Sequence, residues 1–155
     1  MRSRAPRRPA DAREAALRLL EVRDRSRREL SWRLRDKGFP ADEIAALLER
    51  LVETGLVDDR RFACLRARAL VLRGQGARRV EADLRARGVA AEHIAAALEA
   101  ALEGERPAER MRALVTKRFG EGCLGREAEP RLRARAQRFL LQKGFAPDEV
   151  HALFD

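Results

Sequence analysis

Residues 37–44 are Lys37-Gly38-Phe39-Pro40-Ala41-Asp42-Glu43-Ile44, one of three closely similar stretches in this chain of 155 residues. The other two are Arg87-Gly88-Val89-Ala90-Ala91-Glu92-His93-Ile94 and Lys143-Gly144-Phe145-Ala146-Pro147-Asp148-Glu149-Val150. Each has a basic residue, a glycine, a small or aromatic apolar residue and then the acidic start of a helix. A repeated helical unit builds an extended binding surface rather than a catalytic pocket, so this repeat bears on both fold and function.

The three stretches share an apolar register that is counted from the glycine. Apolar residues stand eight and four residues before each glycine and six and ten residues after it. They are Leu30, Val80 and Ala136; Leu34, Leu84 and Leu140; Ile44, Ile94 and Val150; and Leu48, Leu98 and Phe154. These spacings are helical on both sides of the glycine. Chance resemblance between arginine-, alanine- and leucine-rich helices is the alternative, and three coincident registers disfavour it.

The glycine of each stretch is predicted to end one helix in a left-handed conformation, which glycine adopts without a Cβ penalty. Lys37, Arg87 and Lys143 precede the glycines, where a cation meets the negative end of a helix dipole. The acidic residues after the glycines meet the positive end of the next helix. Each copy therefore contains a helix, a tight turn and a second helix.

A further helix is predicted before each pair, over 12–25, 59–73 and 108–119. Ser26 and Glu29 form a capping box, and Asp58 can cap the second of these helices. Glycines punctuate the remaining junctions, and residues 120–125 are predicted to be a loop. No stretch alternates apolar and polar residues in the manner of a strand. The fold class is therefore all-α, a tandem array of three three-helix, helix-turn-helix-like repeats.

The predicted organisation is a flexible basic arm over 1–11 and repeats over 12–57, 58–104 and 105–155. Each repeat is too small for a large core of its own, so neighbours are expected to share buried surface.

Composition limits the classes of protein to which the chain can belong. Hydrophobic residues make up 45% and charged residues 38%, which suits amphipathic helices. No apolar run approaches the length of a transmembrane helix, and no secretory signal is present, so we expect a cytoplasmic protein without a membrane partner. Cys64 and Cys123 are far apart, and His93 and His151 occupy different registers, so we expect neither a disulfide nor a metal site. Motifs for phosphate loops, dinucleotides and zinc proteases are missing, which argues against an enzyme, a catalytic residue or a cofactor.

The net charge of +9 implies an anionic partner, either nucleic acid or an acidic protein surface. Residues 60–87 contain nine arginines but only two acidic residues, and a one-sided arginine stripe follows in the third copy. A continuous basic track over copies two and three is one interpretation, and a merely solvated helix surface is the other. The candidate contact residues are Arg61, Arg66, Arg68, Arg73, Arg78, Arg79, Arg85, Arg131, Arg135 and Arg138.

Trp32 is the single tryptophan, and it lies off the Leu30 and Leu34 face with Arg28 and Arg35 about one turn to either side. An aromatic side chain between guanidinium groups can anchor a partner or stack on it. Packing against a neighbouring helix is the alternative.

These segments together resemble the RecX family of bacterial regulatory proteins, which modulate the RecA recombinase. The resemblance covers everything after the basic arm. It is carried by Ala16-Leu17-Arg18-Leu19-Leu20 with Arg23, Ser26 and Glu29-Leu30, by Gly55-Leu56-Val57-Asp58-Asp59-Arg60-Arg61-Phe62-Ala63, by Arg73-Gly74-Gln75-Gly76 with Leu84 and Arg87-Gly88-Val89, and by Phe139-Leu140 with Lys143-Gly144-Phe145. Ala77, where the family often has proline, and the sequence after Ala63 depart from the pattern, as does the absence of tyrosine.

The resemblance implies an elongated, curved module that lies along the RecA–DNA filament and inhibits ATP hydrolysis, strand exchange and coprotease function. The implied partners are the RecA filament and single- or double-stranded DNA, reached directly or through the filament. We expect a monomer. An autonomous helix-turn-helix-type DNA-binding protein is the alternative, because three-helix units and a basic charge also suit that class.

Overall fold

The computed structural model describes residues 11–155 of the chain. Within this range it contains nine α-helices, one short 3-10 helix and no strand, which confirms the all-α prediction. The helices are α1 (Ala12–Val22), α2 (Arg27–Asp36), α3 (Ala41–Glu53), α4 (Asp59–Leu72), α5 (Ala77–Ala86), α6 (Ala91–Leu102), α7 (Pro107–Phe119), α8 (Pro130–Lys143) and α9 (Pro147–Phe154). We call α1–α3, α4–α6 and α7–α9 the first, second and third copies. The predicted arm lies outside the described residues except for Asp11, whose carboxylate accepts a hydrogen bond from the Glu14 amide and caps α1.

The glycine turn has the same geometry in all three copies. Gly38, Gly88 and Gly144 have φ values of 88°, 77° and 92°, so the left-handed conformation predicted from the sequence is confirmed. In each copy the amide of the residue after the glycine donates to the carbonyl of the leucine that stands four residues before the glycine. The three distances are 3.1–3.2 Å. This bond closes a Schellman motif, which brings the apolar side chains on either side of the turn together. The motif explains why both positions are apolar in every copy.

Helix starts follow the local sequence signals. Ser26 and Glu29 form the predicted capping box at α2, and Asp58 accepts a hydrogen bond from the Arg61 amide at the start of α4. Proline occupies the first turn of α7, α8 and α9, where its missing N–H costs no helical hydrogen bond. Helix α1 is shorter than predicted, because Arg23 is already in an extended conformation.

Each copy has a hydrophobic core of its own. The first core is built from residues between Ala12 and Val57, the second from residues between Phe62 and Ala97, and the third from residues between Met111 and Phe154. Of the twelve positions in the shared register, all are buried except Leu98, which is partly buried and packs on the second core. The three cores are separate clusters, and neighbouring copies meet through contacts such as that of the fully buried Ser26 with Arg87 rather than through a common core.

The predicted loop at 120–125 is only partly irregular, because a 3-10 helix spans Glu121–Leu124. Cys123 is fully buried there in the third core, and this burial raises the pKa of its thiol. A glycine-rich pattern signals a turn but carries no periodicity that would reveal this buried side chain.

Candidate binding surfaces at the junctions between copies

The copies are joined in tandem through their glycine turns. At the first junction, between α2 and the turn of the second copy, the Ser26 hydroxyl donates to the carbonyl of Arg87 at 2.6 Å. At the second junction, the amide of Gly76 donates to the carbonyl of Lys143 at 2.7 Å. Ser26 and Gly76 are the N-cap residues of α2 and α5, and Arg87 and Lys143 each precede the turn glycine. The same docking is therefore used twice.

The turn of the third copy also caps α5, which has no side-chain cap of its own. The Arg78 amide donates to the carbonyl of Gly144 at 3.1 Å, and the Gly76 amide donates to that of Lys143. Two amides at the start of α5, where a helix leaves its N–H groups unpaired, thus find acceptors in the turn of the third copy. This approach is close. A Cβ atom on Gly144 would lie 2.4 Å from Cβ of Arg79, and one on Gly88 would lie 2.6 Å from Cδ of Arg28.

Arg110, on α7, adds a second tie between copies two and three. Its guanidinium donates to the carbonyls of Gln75 at 2.9 Å and Val71 at 3.2 Å, and it lies 5.4 Å from the centre of the Phe145 ring. Burial lowers the pKa of Arg110, although Glu105 and Glu149 act in the opposite direction. The side chain thus ties the end of α4 to the third copy.

A network of ion pairs surrounds the docking contact of the first junction. Glu29 pairs with Arg23 at 3.1 Å and with Arg87. Asp83 pairs with Arg87 at 3.0 Å and accepts two hydrogen bonds from Arg66, each of 2.9 Å. Glu29 belongs to the first copy and Asp83 to the second, so Arg87 links the two copies by pairing with both acids.

The network shifts the pKa values of both acids downward. Burial alone would raise the pKa of Glu29, but hydrogen bonds from Arg23 and the Ser26 amide, with the charges of Arg23 and Arg87, lower it. The pKa of Asp83 is lowered chiefly by its hydrogen bond from Arg66 and further by Arg87, against the effect of burial. Both acids are therefore held in their charged form, and together they pair with all three arginines of the network.

Trp32 lies on the open side of the first junction. Its side chain is 44% exposed, and it lines a pocket of about 490 Å³ between α2, α3 and the Gly88 turn. Arg28 and Arg35 stand beside it, as the sequence predicts, and Ile44 and Leu48 form an apolar part of the wall. An exposed aromatic ring between two cations and an apolar wall suits an acidic partner segment that carries an aliphatic side chain.

The candidate arginines divide into two groups. Arg61 pairs with Asp24, Arg66 with Asp83 and Arg85 with Glu81, so these three are engaged within the chain. The others are exposed and make no ion pair with any residue in the range 11–155. They are Arg68, Arg73, Arg78, Arg79, Arg131, Arg135 and Arg138.

A cationic and aromatic cluster at the second junction was not predicted from the sequence, although one of its members, Arg135, was among the candidate arginines. The rings of Phe119 and Phe139 meet edge to face with centroids 5.6 Å apart. Arg118 lies 5.1 Å from the centre of the Phe139 ring, Lys143 lies 5.6 Å from the same centre, and Arg135 lies 5.9 Å from that of Phe119. Only tertiary packing brings the end of α7 onto α8, and the available signal was weak: a phenylalanine at the position where the second copy has Asp83.

Within residues 11–155 there is no group of three or more His, Cys, Asp or Glu side chains that could hold a metal ion. No helix in that range has the length and apolar composition that crossing a membrane requires.

The chain matches the family models of three successive RecX domains. The model described as the first three-helix domain of RecX matches residues 12–51, the second matches 58–98 and the third matches 105–154. The three matches follow the three copies in order, so each copy corresponds to one domain of the family.

Curated relatives extend this similarity over nearly the whole chain. The regulatory protein RecX of Chromohalobacter salexigens is 44% identical over 147 residues, which are 93% of this chain and 91% of the relative. The regulatory protein RecX of Halorhodospira halophila is 42% identical over 140 residues, which are 90% of this chain and 84% of the relative.

Two solved structures share the fold. A crystal structure of a regulatory protein RecX superposes with a TM-score of 0.75 at 23% identity, covering 94% of this chain and 71% of the other. The crystal structure of RecX from Lactobacillus salivarius gives a TM-score of 0.72 at 21% identity, covering 92% of this chain and 91% of the other.

Proposed function

The chain belongs to the RecX family, and on that premise we propose that it binds the RecA filament on DNA and inhibits ATP hydrolysis, strand exchange and coprotease activity. The matched relatives are named regulatory proteins, and we propose no catalytic role for this chain. A RecA filament is a helical polymer, so a modulator built from several linked copies can contact more than one repeating subunit.

The observation that carries the proposal is the tandem docking of three similar copies. Each copy has its own core, and the glycine turns of the second and third copies are each hydrogen-bonded to the copy before them. A row of linked units that faces a row of identical subunits gains affinity by multivalency, because the second contact forms at a high effective concentration. Contacts that are individually weak then suffice.

The exposed cations make the surface of the linked copies positively charged. We propose that the unpaired arginines of copies two and three, together with Trp32, contact the filament, and that Arg61, Arg66 and Arg85 contribute to the track while also pairing with acids of the chain. We also propose repeat boundaries near residues 57 and 104, a monomer in solution, and a cytoplasmic location where RecA and DNA are available. Positive charge speeds encounter with a polyanion and with acidic protein surfaces.

The direct test uses purified full-length chain with RecA, single-stranded DNA and ATP. We expect ATP hydrolysis and strand exchange to fall at substoichiometric or stoichiometric amounts of the chain. No effect on either, with RecA from the same organism, would contradict the proposal.

The alternative of an autonomous DNA-binding protein makes a different prediction. It requires tight, sequence-dependent binding to naked duplex DNA without RecA, with a steep loss of affinity as salt rises. Binding to the filament that exceeds binding to naked DNA of any tested sequence favours the filament modulator.

A further inference from the structure

The two junctions have the same backbone docking, but the cations are paired with acids at the first and unpaired at the second. Counted from the glycine, the position nine residues before it is Glu29 in the first copy and Arg79 in the second. The position five residues before it is Asp83 in the second copy and Phe139 in the third. Both acids that pair with arginines at the first junction are therefore replaced at the second, by a cation and by an aromatic ring.

The second junction forms a pocket of about 310 Å³ at this place. Among the described residues, no carboxylate lines it. Its lining residues are Gln75, Arg79, Arg118, Phe139, Gln142 and Lys143. Three cations from α5, α7 and α8 thus converge on one concavity, and none of them makes an ion pair within residues 11–155.

Phe139 explains how these cations are held without losing their charge. Arg118 and Lys143 lie over its ring at 5.1 and 5.6 Å, and a cation–π contact orients a cation without neutralising it. A carboxylate at the same position, as in the first junction, would hold the side chains and also cancel the charge. The pocket is consequently a preorganised receptor for an anion, to which the amide groups of Gln75 and Gln142 can add hydrogen bonds.

Helix α8 extends the positive charge away from the pocket in a straight line. Arg131, Arg135, Arg138 and Gln142 are spaced by four, three and four residues, so they share one face, and all four are exposed. From Arg131 to Gln142 the stripe is about 16 Å long at 1.5 Å per residue, so it can contact several successive phosphates of one strand. A line of anions fits this stripe better than a single carboxylate does.

We propose that the second junction is a binding site for the phosphate backbone of DNA, with one phosphate group in the pocket and its neighbours along α8. This assigns DNA contact to copies two and three and leaves the Trp32 pocket of copy one for protein. This proposal rests on the proposed function only because the filament contains DNA. Its test therefore measures DNA binding without RecA.

The experiment compares two triple variants of the full-length chain that lose the same charge. The pocket variant is Arg79→Gln, Arg118→Gln and Lys143→Gln. The control is Arg13→Gln, Arg33→Gln and Arg50→Gln, three exposed residues that form no ion pair with a described residue. Binding of a fluorescent thymidine oligonucleotide of about 20 nucleotides is measured by anisotropy between about 50 and 200 mM salt.

We expect the pocket variant to lose about tenfold in affinity and the slope of log K against log salt to decrease by about 0.7 for each phosphate that the variant no longer neutralises. The control should lose less than about threefold and keep its slope, because its charges act only at long range. Equal losses in both variants would overturn the proposal. Unchanged DNA binding together with abolished binding of poly-glutamate would overturn it too, since the pocket would then take an acidic protein.

Melting followed by circular dichroism verifies that each variant is folded. If the triple variant does not fold, Arg79→Gln alone serves, because its guanidinium is outside the Phe119 and Phe139 cluster; a loss of about threefold supports the site and no loss contradicts it. The experiments distinguish failure of the DNA-binding site from failure of the proposed filament function. Wild-type chain that leaves RecA activity unchanged would refute the filament function, whereas the oligonucleotide measurement decides the site without RecA.

Discussion

Gly88 and Gly144 are required for two separate reasons, one local and one tertiary. Each has a positive φ angle that a side chain strains, and each stands where the preceding copy leaves no room for a Cβ. The first requirement is visible in the sequence as a helix-ending glycine. The second is not, because it depends on which surface the turn meets.

The conformational and the steric requirement can be separated by making the same change, glycine to alanine, at two different glycines. Gly104 also has a positive φ of 74°, but a Cβ added there would have nothing within 4 Å, whereas a Cβ on Gly144 would meet Cβ of Arg79 at 2.4 Å and the Arg79 amide nitrogen at 2.5 Å. We expect Gly104→Ala to cost about 1 kcal/mol of unfolding free energy through backbone strain alone. Gly144→Ala should cost about 3 kcal/mol, because overpacking against backbone adds to the strain.

Chemical denaturation of both variants measures these costs. Equal destabilisation at the two positions would mean that the second junction opens easily and that docking through the Gly144 turn contributes little. In that case the hydrogen bonds from Gly76 and Arg78 would also be dispensable.

At the scale of elements, the start of α2 has both a local and a long-range role. The Ser26 hydroxyl accepts from the Glu29 amide and donates to Arg87 of the next copy, and the Glu29 carboxylate accepts from the Ser26 amide and from two arginines. A capping box that normally stabilises only its own helix here also fixes the position of its neighbour.

The ion-pair network of the first junction predicts acid sensitivity. The pKa values of Glu29 and Asp83 are lower in the folded protein than their ordinary values of 4.5 and 3.8, so the folded state binds fewer protons than the unfolded state. The stability from these acids is present above those ordinary values and is lost as the pH falls below them towards the folded-state pKa values. Thermal melts over this range should show a falling melting temperature.

Charge removal identifies the group responsible. Glu29 is 6% exposed, so Glu29→Gln should cost about 2 kcal/mol at neutral pH and flatten the acid dependence. Glu49 pairs with Arg27 but its side chain is 60% exposed, so Glu49→Gln should cost about 0.5 kcal/mol or less. An acid dependence that survives in Glu29→Gln would assign it to other carboxylates.

The helices could be predicted from sequence because their signals are local. Apolar spacing around each glycine and the Ser26 capping box depend only on neighbouring residues, and the structure confirms them. The Phe139 cluster and the pairing of Arg66 with Asp83 could not be predicted in the same way, because they depend on how helices that are distant in sequence pack. From its charge alone Arg66 was predicted to contact a partner, although in the structure it pairs with Asp83.

At the scale of the whole molecule, three apolar cores are connected by two polar junctions. At the first junction two acids pair with three arginines, whereas the cations of the second-junction pocket and of the α8 face make no ion pair within residues 11–155. The net charge of +9 is therefore distributed unevenly among the surfaces that a partner can reach, and copies two and three carry the larger unpaired share. Binding to a polymer should depend on where a charge lies as well as on how many there are.

Reversing two charges at a time tests this dependence on the filament itself. Arg131→Glu with Arg138→Glu changes the α8 face, and Arg33→Glu with Arg50→Glu makes the same change of charge on the first copy. All four arginines are exposed and none makes an ion pair with a residue in 11–155, so neither variant should unfold. We expect the concentration that halves RecA ATP hydrolysis to rise about tenfold or more for the α8 variant and less than about threefold for the other, since close contacts respond more than a screened field. Equal increases would show that the filament senses total charge, and a larger increase for the first-copy variant would place the principal contact on the first copy instead.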